Sequence, residues 1–128
     1  MRLLLDTCVF LWLCDETTRL SRRAIEALED PENELFVHQI SVLEIQIKHS
    51  LGRLPLTLSP QDFVDRGLKS HGLEYRALAD EEIWHLAKLP PIHGDPFDRL
   101  LISHALCKGL KLVTPDPQIH RYPVPVVW

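Results

Sequence analysis

Strand-like and helix-like runs alternate along this chain, and an acidic residue stands at nearly every junction between them. Asp6 ends the apolar run LLL. Glu44 lies early in the helix-like stretch SVLEIQIKHS, Asp95 and Asp98 open HGDPFDRLLISHA, and Asp116 follows LVT. Alternation of this kind implies a mainly parallel sheet with right-handed crossovers and helices on both faces. In such a sheet the carboxyl ends of strands and the amino ends of crossover helices share one edge, where ligands and chemistry collect. Acids distributed over the whole sequence are therefore expected to converge. Carboxylates that meet need a cation between them, and a hard, oxygen-seeking one such as Mg²⁺ or Mn²⁺ suits them.

The pattern predicts an α/β fold, a three-layer α/β/α sandwich around a roughly five-stranded sheet, as a single domain over residues 1–128. Residues 2–5 form the first strand and Cys8 to Cys14 a short helix. Ser21 N-caps a helix to about Leu28, and residues 34–38 are the second strand. Ser41 opens a helix whose apolar positions Ile40, Leu43, Ile47 and Leu51 recur at helical spacing, with Gly52 as its stop. Ser59-Pro60 opens another helix, which Gly72 ends. Residues 73–78 are the third strand, and Asp80 caps a helix with Glu81 and Glu82 in its first turn, where the helix dipole favours them. Asp95-Pro96 opens the next helix, closed by Gly109. LKLVT is the fourth strand and PVPVV the last, whose prolines place it at a sheet edge.

With 45% hydrophobic and 25% charged residues the composition is that of a globular protein. No apolar run approaches the roughly 20 residues of a membrane span. The opening MRLLLDTCVFLWLCDE does not read as a secretory signal, because Asp6 interrupts it and no small-residue cleavage site follows. Cys8, Cys14 and Cys107 form neither a disulfide framework nor a zinc spacing, which fits a reducing cytoplasm. A net charge of −4 is unpromising for gripping nucleic acid by bulk electrostatics, although cations bound in an acid cluster would reverse the local field. No GxGxxG, Walker, GxSxG or HExxH motif occurs, which sets aside dinucleotide binding, P-loop hydrolysis and zinc proteolysis.

Each acid has a plain structural use as well. Asp6 can N-cap the helix that follows it. Glu44 completes a Ser-x-x-Glu capping box with Ser41 and stands four residues before Lys48, a surface ion-pair spacing. Asp95 before Pro96 is a good N-cap. Asp98 shares a helical face with Ile102 and Ala105, and a carboxylate buried there costs several kcal/mol unless paired or metal-bound. Asp98 is therefore the better ligand candidate, and Asp95 a cap with indirect influence. Asp116 lies in the turn Thr114-Pro115-Asp116-Pro117. The Thr114 hydroxyl could hold a ligand carboxylate or cap that turn, and Arg99 could take a substrate phosphate or pair with an acid. Thr7 and Ser41, beside Asp6 and Glu44, are further supporting candidates. His104 reads as a hydrogen-bonded core histidine, and nothing in the pattern fixes a role for His93.

Together these segments resemble a PIN domain, and most closely the bacterial VapC-type toxins. The match runs from the LLLDT opening through S-x-x-E-I-x-I-K-x-x-x-G-x-L (Ser41 to Leu54), DPFDRLL (Asp95 to Leu101) and Thr114-x-Asp116 to the closing Tyr122–Trp128 segment. Cys8 and Gly94 stand where that branch often has His and Arg. The resemblance implies a Mg²⁺- or Mn²⁺-dependent ribonuclease, commonly dimeric and neutralised by a cognate antitoxin. By position, its metal-binding and catalytic acids are Asp6, Glu44, Asp98 and Asp116. Two other readings stand beside it: a PIN-like module that binds protein or RNA without cutting, and an aspartyl-phosphate hydrolase. The second normally needs another acid two residues after Asp6, where this chain has Cys8.

Overall fold

A computed structural model describes residues 1–128. In chain order the elements are β1 (Arg2–Leu5), α1 (Thr7–Asp15), α2 (Arg22–Glu29), β2 (Glu34–His38), α3 (Gln39–Ser50), α4 (Pro60–Ser70), β3 (Glu74–Arg76), α5 (Asp80–His85), α6 (Pro96–Lys108), β4 (Lys111–Val113) and β5 (Val126–Val127). The strands form one sheet in the order β3-β2-β1-β4-β5, with every pairing parallel. No helix is long and apolar enough to cross a membrane.

The period of two in β1 divides the core. Leu3 and Leu5 pack with Val9, Phe10, Ala24 and Val64, so α1, α2 and α4 cover one face. Leu4 points the other way, with Phe36 and Leu112, onto Leu101, Ile102 and Ala105 of α6. This gives the expected α/β/α sandwich. β1 is central because its apolar side chains are buried on both faces, as a strand covered by helices requires. After β1 the chain moves outward to β2 and β3, then returns across β1 to β4. The crevice at that reversal is the place where an open parallel sheet leaves room for a ligand.

Several boundaries differ from the sequence reading. The third strand shortens to Glu74–Arg76 and the last to Val126–Val127. Ser41 does not open α3 and forms no capping box. His38 is the N-cap, accepting the Ile40 N–H on Nδ1 at 2.9 Å, so Ser41 lies inside the first turn and is fully buried. Asp80 is likewise the first residue of α5, with Ala79 at the cap. The glycine stops hold: Gly109 at φ 66° occupies the left-handed position that ends α6 without a Cβ penalty.

Glu82, placed by the sequence reading in a first turn where the helix dipole favours it, is fully buried and faces His38 and His104. Because His38 Nδ1 accepts a backbone N–H, its ring proton sits on Nε2 and donates to Glu82 Oε2 at 3.1 Å. His104 Nδ1 bonds the other carboxylate oxygen, and the Ala79 N–H adds a third donor at 3.1 Å. Burial raises the Glu82 carboxyl, but the bonds from His104, Ala79 and His38 outweigh it and hold the group below its ordinary range. Burial lowers both imidazoles. The cluster is thus a carboxylate solvated by neutral donors, tying α5 to β2 and α6. His104 Nε2 has no partner, so the expected core histidine is only half satisfied.

Gly67 marks where α4 meets α1. A Cβ there would lie 2.9 Å from Phe10 Cζ and 2.8 Å from Cys14 Sγ. Phe10 is fully buried and has nowhere to move. Gly67→Ala gains up to about 1 kcal/mol of helix propensity but overpacks by about 1–3 kcal/mol. A net destabilisation is expected in urea unfolding; an unchanged or higher midpoint would show that the helices can part freely.

Candidate active site at the carboxyl edge of the sheet

β1 and β4 run side by side with Leu5 opposite Val113, and the Asp6 N–H continues the ladder to Val113 O at 3.1 Å. That register sets Asp6 beside Thr114 and the Asp116 turn. α3 starts directly from β2, and α6 descends into β4, so both helices present their early turns to the same edge. The result is a pocket of about 190 Å³ lined by Asp6, Thr7, Cys8, Glu44, Lys48, Asp95, Asp98 and Asp116. The structure therefore brings together all four acids named from the sequence, and Asp95 with them.

Each acid is held in a definite way. Asp6 N-caps α1, with Oδ1 accepting the Val9 N–H at 2.8 Å and the Cys8 thiol at 3.1 Å. Burial raises its carboxyl, against hydrogen bonds from Thr114, Val9 and Cys8 that lower it. Thr114, fully buried, also accepts the Asp116 N–H at 3.1 Å, so it serves both uses left open for it: carboxylate partner and turn cap. Glu44 accepts from the Thr7 hydroxyl on Oε1 at 2.6 Å and from Lys48 Nζ on Oε2 at 2.5 Å. Thr7 spends its single proton on that carboxylate, and the Ser41 hydroxyl, 2.9 Å away, completes the chain. Asp95 caps α6 through the Phe97 N–H at 2.8 Å while lining the pocket.

His93 was missed by the sequence reading. Its Nε2 lies 3.0 Å from Asp98 Oδ2 and 2.8 Å from Asp116 Oδ2. Nδ1 accepts the Asp95 N–H at 3.1 Å, which places the ring proton on Nε2, between the two acids. Arg99 takes neither expected part. Its guanidinium bonds Pro90 O, Leu86 O and the Tyr122 hydroxyl, and that hydroxyl also receives the Ile92 and His93 N–H groups. Arg99 is a fastener for the loop that carries His93. Lys48, read only as half of a surface ion pair, is the one cation lining the pocket.

The donor set favours a hard cation. It offers carboxylates and hydroxyls, and its single soft group, the Cys8 thiol, is kept protonated because burial and then Asp6 push its pKa up. Burial and the neighbouring Asp95 push Asp98 up to about 7, with His93 pulling the other way. Loss of water and nearby like charge both disfavour the ionised form there. The acids could hold a metal ion, and one bound there would relieve the crowding.

Fold and pocket together define a parallel α/β protein with an acidic crevice at its topological switch. Residues 3–125 match the PIN domain model, and the chain belongs to that family. It is 33% identical over 128 residues to Ribonuclease VapC22 of Mycobacterium tuberculosis, covering 98% of this chain and 97% of that protein. Among solved structures it is similar to VapBC2 from Rickettsia felis bound to a promoter DNA fragment, with TM-score 0.75 and 18% identity over 98% of this chain and 97% of that one. It is also similar to a toxin-antitoxin complex from Klebsiella pneumoniae, with TM-score 0.61 and 19% identity over 98% and 95%.

The raised Asp98 has a consequence for stability in chelator. Its folded value of about 7 exceeds the roughly 3.9 of an unfolded aspartate. The contribution is thus complete below about pH 4 and is lost as pH rises through about 7. Asp98→Asn should melt on the order of 5 °C above the parent at about pH 8, and the two curves should converge toward about pH 4. Equal melting at the higher pH would mean that Asp98 is not under electrostatic strain.

Proposed function

We propose that this chain is a metal-dependent ribonuclease that hydrolyses RNA phosphodiester bonds, and that it acts as the toxin of a toxin–antitoxin pair. The observation that carries this reading is the pocket in which Asp6, Glu44, Asp98 and Asp116 meet on a PIN scaffold. The likeness to Ribonuclease VapC22 supports RNA as the substrate. The structural likeness to toxin–antitoxin complexes supports a protein antitoxin as partner. A second copy of this chain, and a cytoplasmic setting, complete the proposal.

Asp6, Glu44, Asp98 and Asp116 would hold Mg²⁺, with Mn²⁺ as a substitute. When bound, such a cation lowers the pKa of a coordinated water and stabilises charge on the phosphate. The protein's own contribution is orientation. Val9 and Thr114 fix Asp6, Thr7 fixes Glu44, and His93 holds Asp98 and Asp116 within one imidazole of each other. Asp95 shapes the rim by capping α6.

A module that only binds RNA or protein has no need of a part-buried Asp98, raised by burial and then by Asp95, in a pocket with four other acids, which disfavours that alternative. Digestion of bulk cellular RNA separates the two. Cleavage is expected in Mg²⁺ or Mn²⁺ and not in EDTA, and Asp6→Asn or Asp98→Asn should slow it on the order of 100-fold or more while the protein stays folded. Full activity in both variants, or in EDTA, would overturn the assignment.

A further inference from the structure

The acidic pocket presents a difficulty for a polyanionic substrate: five carboxylates line it, and a single cationic side chain joins them. Lys48 reaches in from the last turn of α3, four residues beyond Glu44. Its ammonium donates to Glu44 Oε2, and the side chain is 49% exposed, against 6% for Glu44. The half-exposed lysine side chain therefore lies between solvent and the buried carboxylate.

Two features show that Glu44 does not depend on Lys48 for its position. Its other oxygen is fixed by the Thr7 hydroxyl at 2.6 Å, with Ser41 behind that hydroxyl, and all three residues are buried. The bond to Lys48 is a half-exposed pair four residues apart on one helix, a class of contact that contributes little to stability. An ammonium has three protons to donate, and the described bonds use one. Lys48 is thus half-exposed, held by a single bond, and has two protons free to donate.

We propose that Lys48 is a substrate-binding residue, which leaves Glu44 Oε2 for a phosphate oxygen of the RNA when that carboxylate turns to a cation. The exchange conserves charge pairing at each step. Before binding, the ammonium offsets Glu44; afterwards, it offsets the phosphate, and Glu44 is satisfied by the cation. No bond is made or broken, and Thr7 keeps Glu44 in place throughout. This inference rests on the nuclease reading and names the side chain that grips its substrate.

The test uses the full chain, Mn²⁺, and a random-sequence single-stranded RNA pool carrying a fluorophore and quencher. Lys48→Met should raise the apparent KM about tenfold, the effect of one charge-assisted hydrogen bond, with a smaller fall in kcat. The slope of log(kcat/KM) against log salt should shrink by about 0.7, the contribution of one single-strand phosphate contact. Lys48→Arg should restore most of both. Calorimetric Mn²⁺ titration of the RNA-free protein should show Lys48→Met binding the ion at least as tightly as the parent, because a competing cation has gone. An unchanged KM and salt slope, or weaker Mn²⁺ binding in Lys48→Met, overturns the proposal and leaves the nuclease standing. A parent protein that cleaves no RNA in Mn²⁺ overturns both.

Discussion

Parallel pairing of β1 with β4 is the constraint on which the site depends. With Leu5 opposite Val113, the ladder ends at the Asp6 N–H on Val113 O, so the residues leaving the two strands emerge side by side at one edge. A slip of one residue would turn Leu4 into the face of Leu3 and Leu5 and carry Asp6 away from Thr114. The hydrophobic pattern of the core therefore also fixes the acids. α3 and α6 follow from the same topology: one leaves β2, the other enters β4, and each brings a carboxylate to the crevice.

Bringing these charges together works against folding, and the chain offsets it locally. Thr7, Thr114 and the Val9 N–H solvate Glu44 and Asp6, Lys48 pairs with Glu44, and His93 stands between Asp98 and Asp116. The compensation is incomplete: burial keeps Asp6 and Asp98 raised, and like charge adds to it, from Asp95 on Asp98 and least from Glu44 on Asp6. Desolvation and repulsion of this kind are relieved when a cation binds, and binding to the folded form alone would appear as added stability. The buried Glu82 offers a contrast. Three donors surround it, its carboxyl is held low, and it works as a tie between elements.

What the sequence made legible was whatever depends on local periodicity or strand order. The run LLL before Asp6, the glycine stops at Gly52, Gly72 and Gly109, and the cap at Asp95 all follow from rules acting over a few residues. The meeting of Asp6, Glu44, Asp98 and Asp116 follows from strand order in a parallel sheet, and the PIN resemblance pointed the same way. Features made by distant partners stayed hidden. His93 meets Asp116 across 23 residues, and Glu82 meets His38 across 44. Nothing near Glu82 distinguishes it from Glu81, which pairs with Lys108 at the surface. Ser41 misled because a good capping box can be written wherever Ser precedes Glu by three, whereas the helix start was set by His38 leaving the sheet.

The central claim, convergence of carboxylates around a cation, is open to direct observation. Crystals of the protein grown with Mn²⁺ can be measured at a wavelength where that ion scatters anomalously. A peak inside the pocket, within bonding distance of carboxylate oxygens from Asp6, Glu44, Asp98 or Asp116, is the expected result. Anomalous density elsewhere with that pocket empty at saturating Mn²⁺, for instance at the His38–Glu82–His104 cluster, would contradict it.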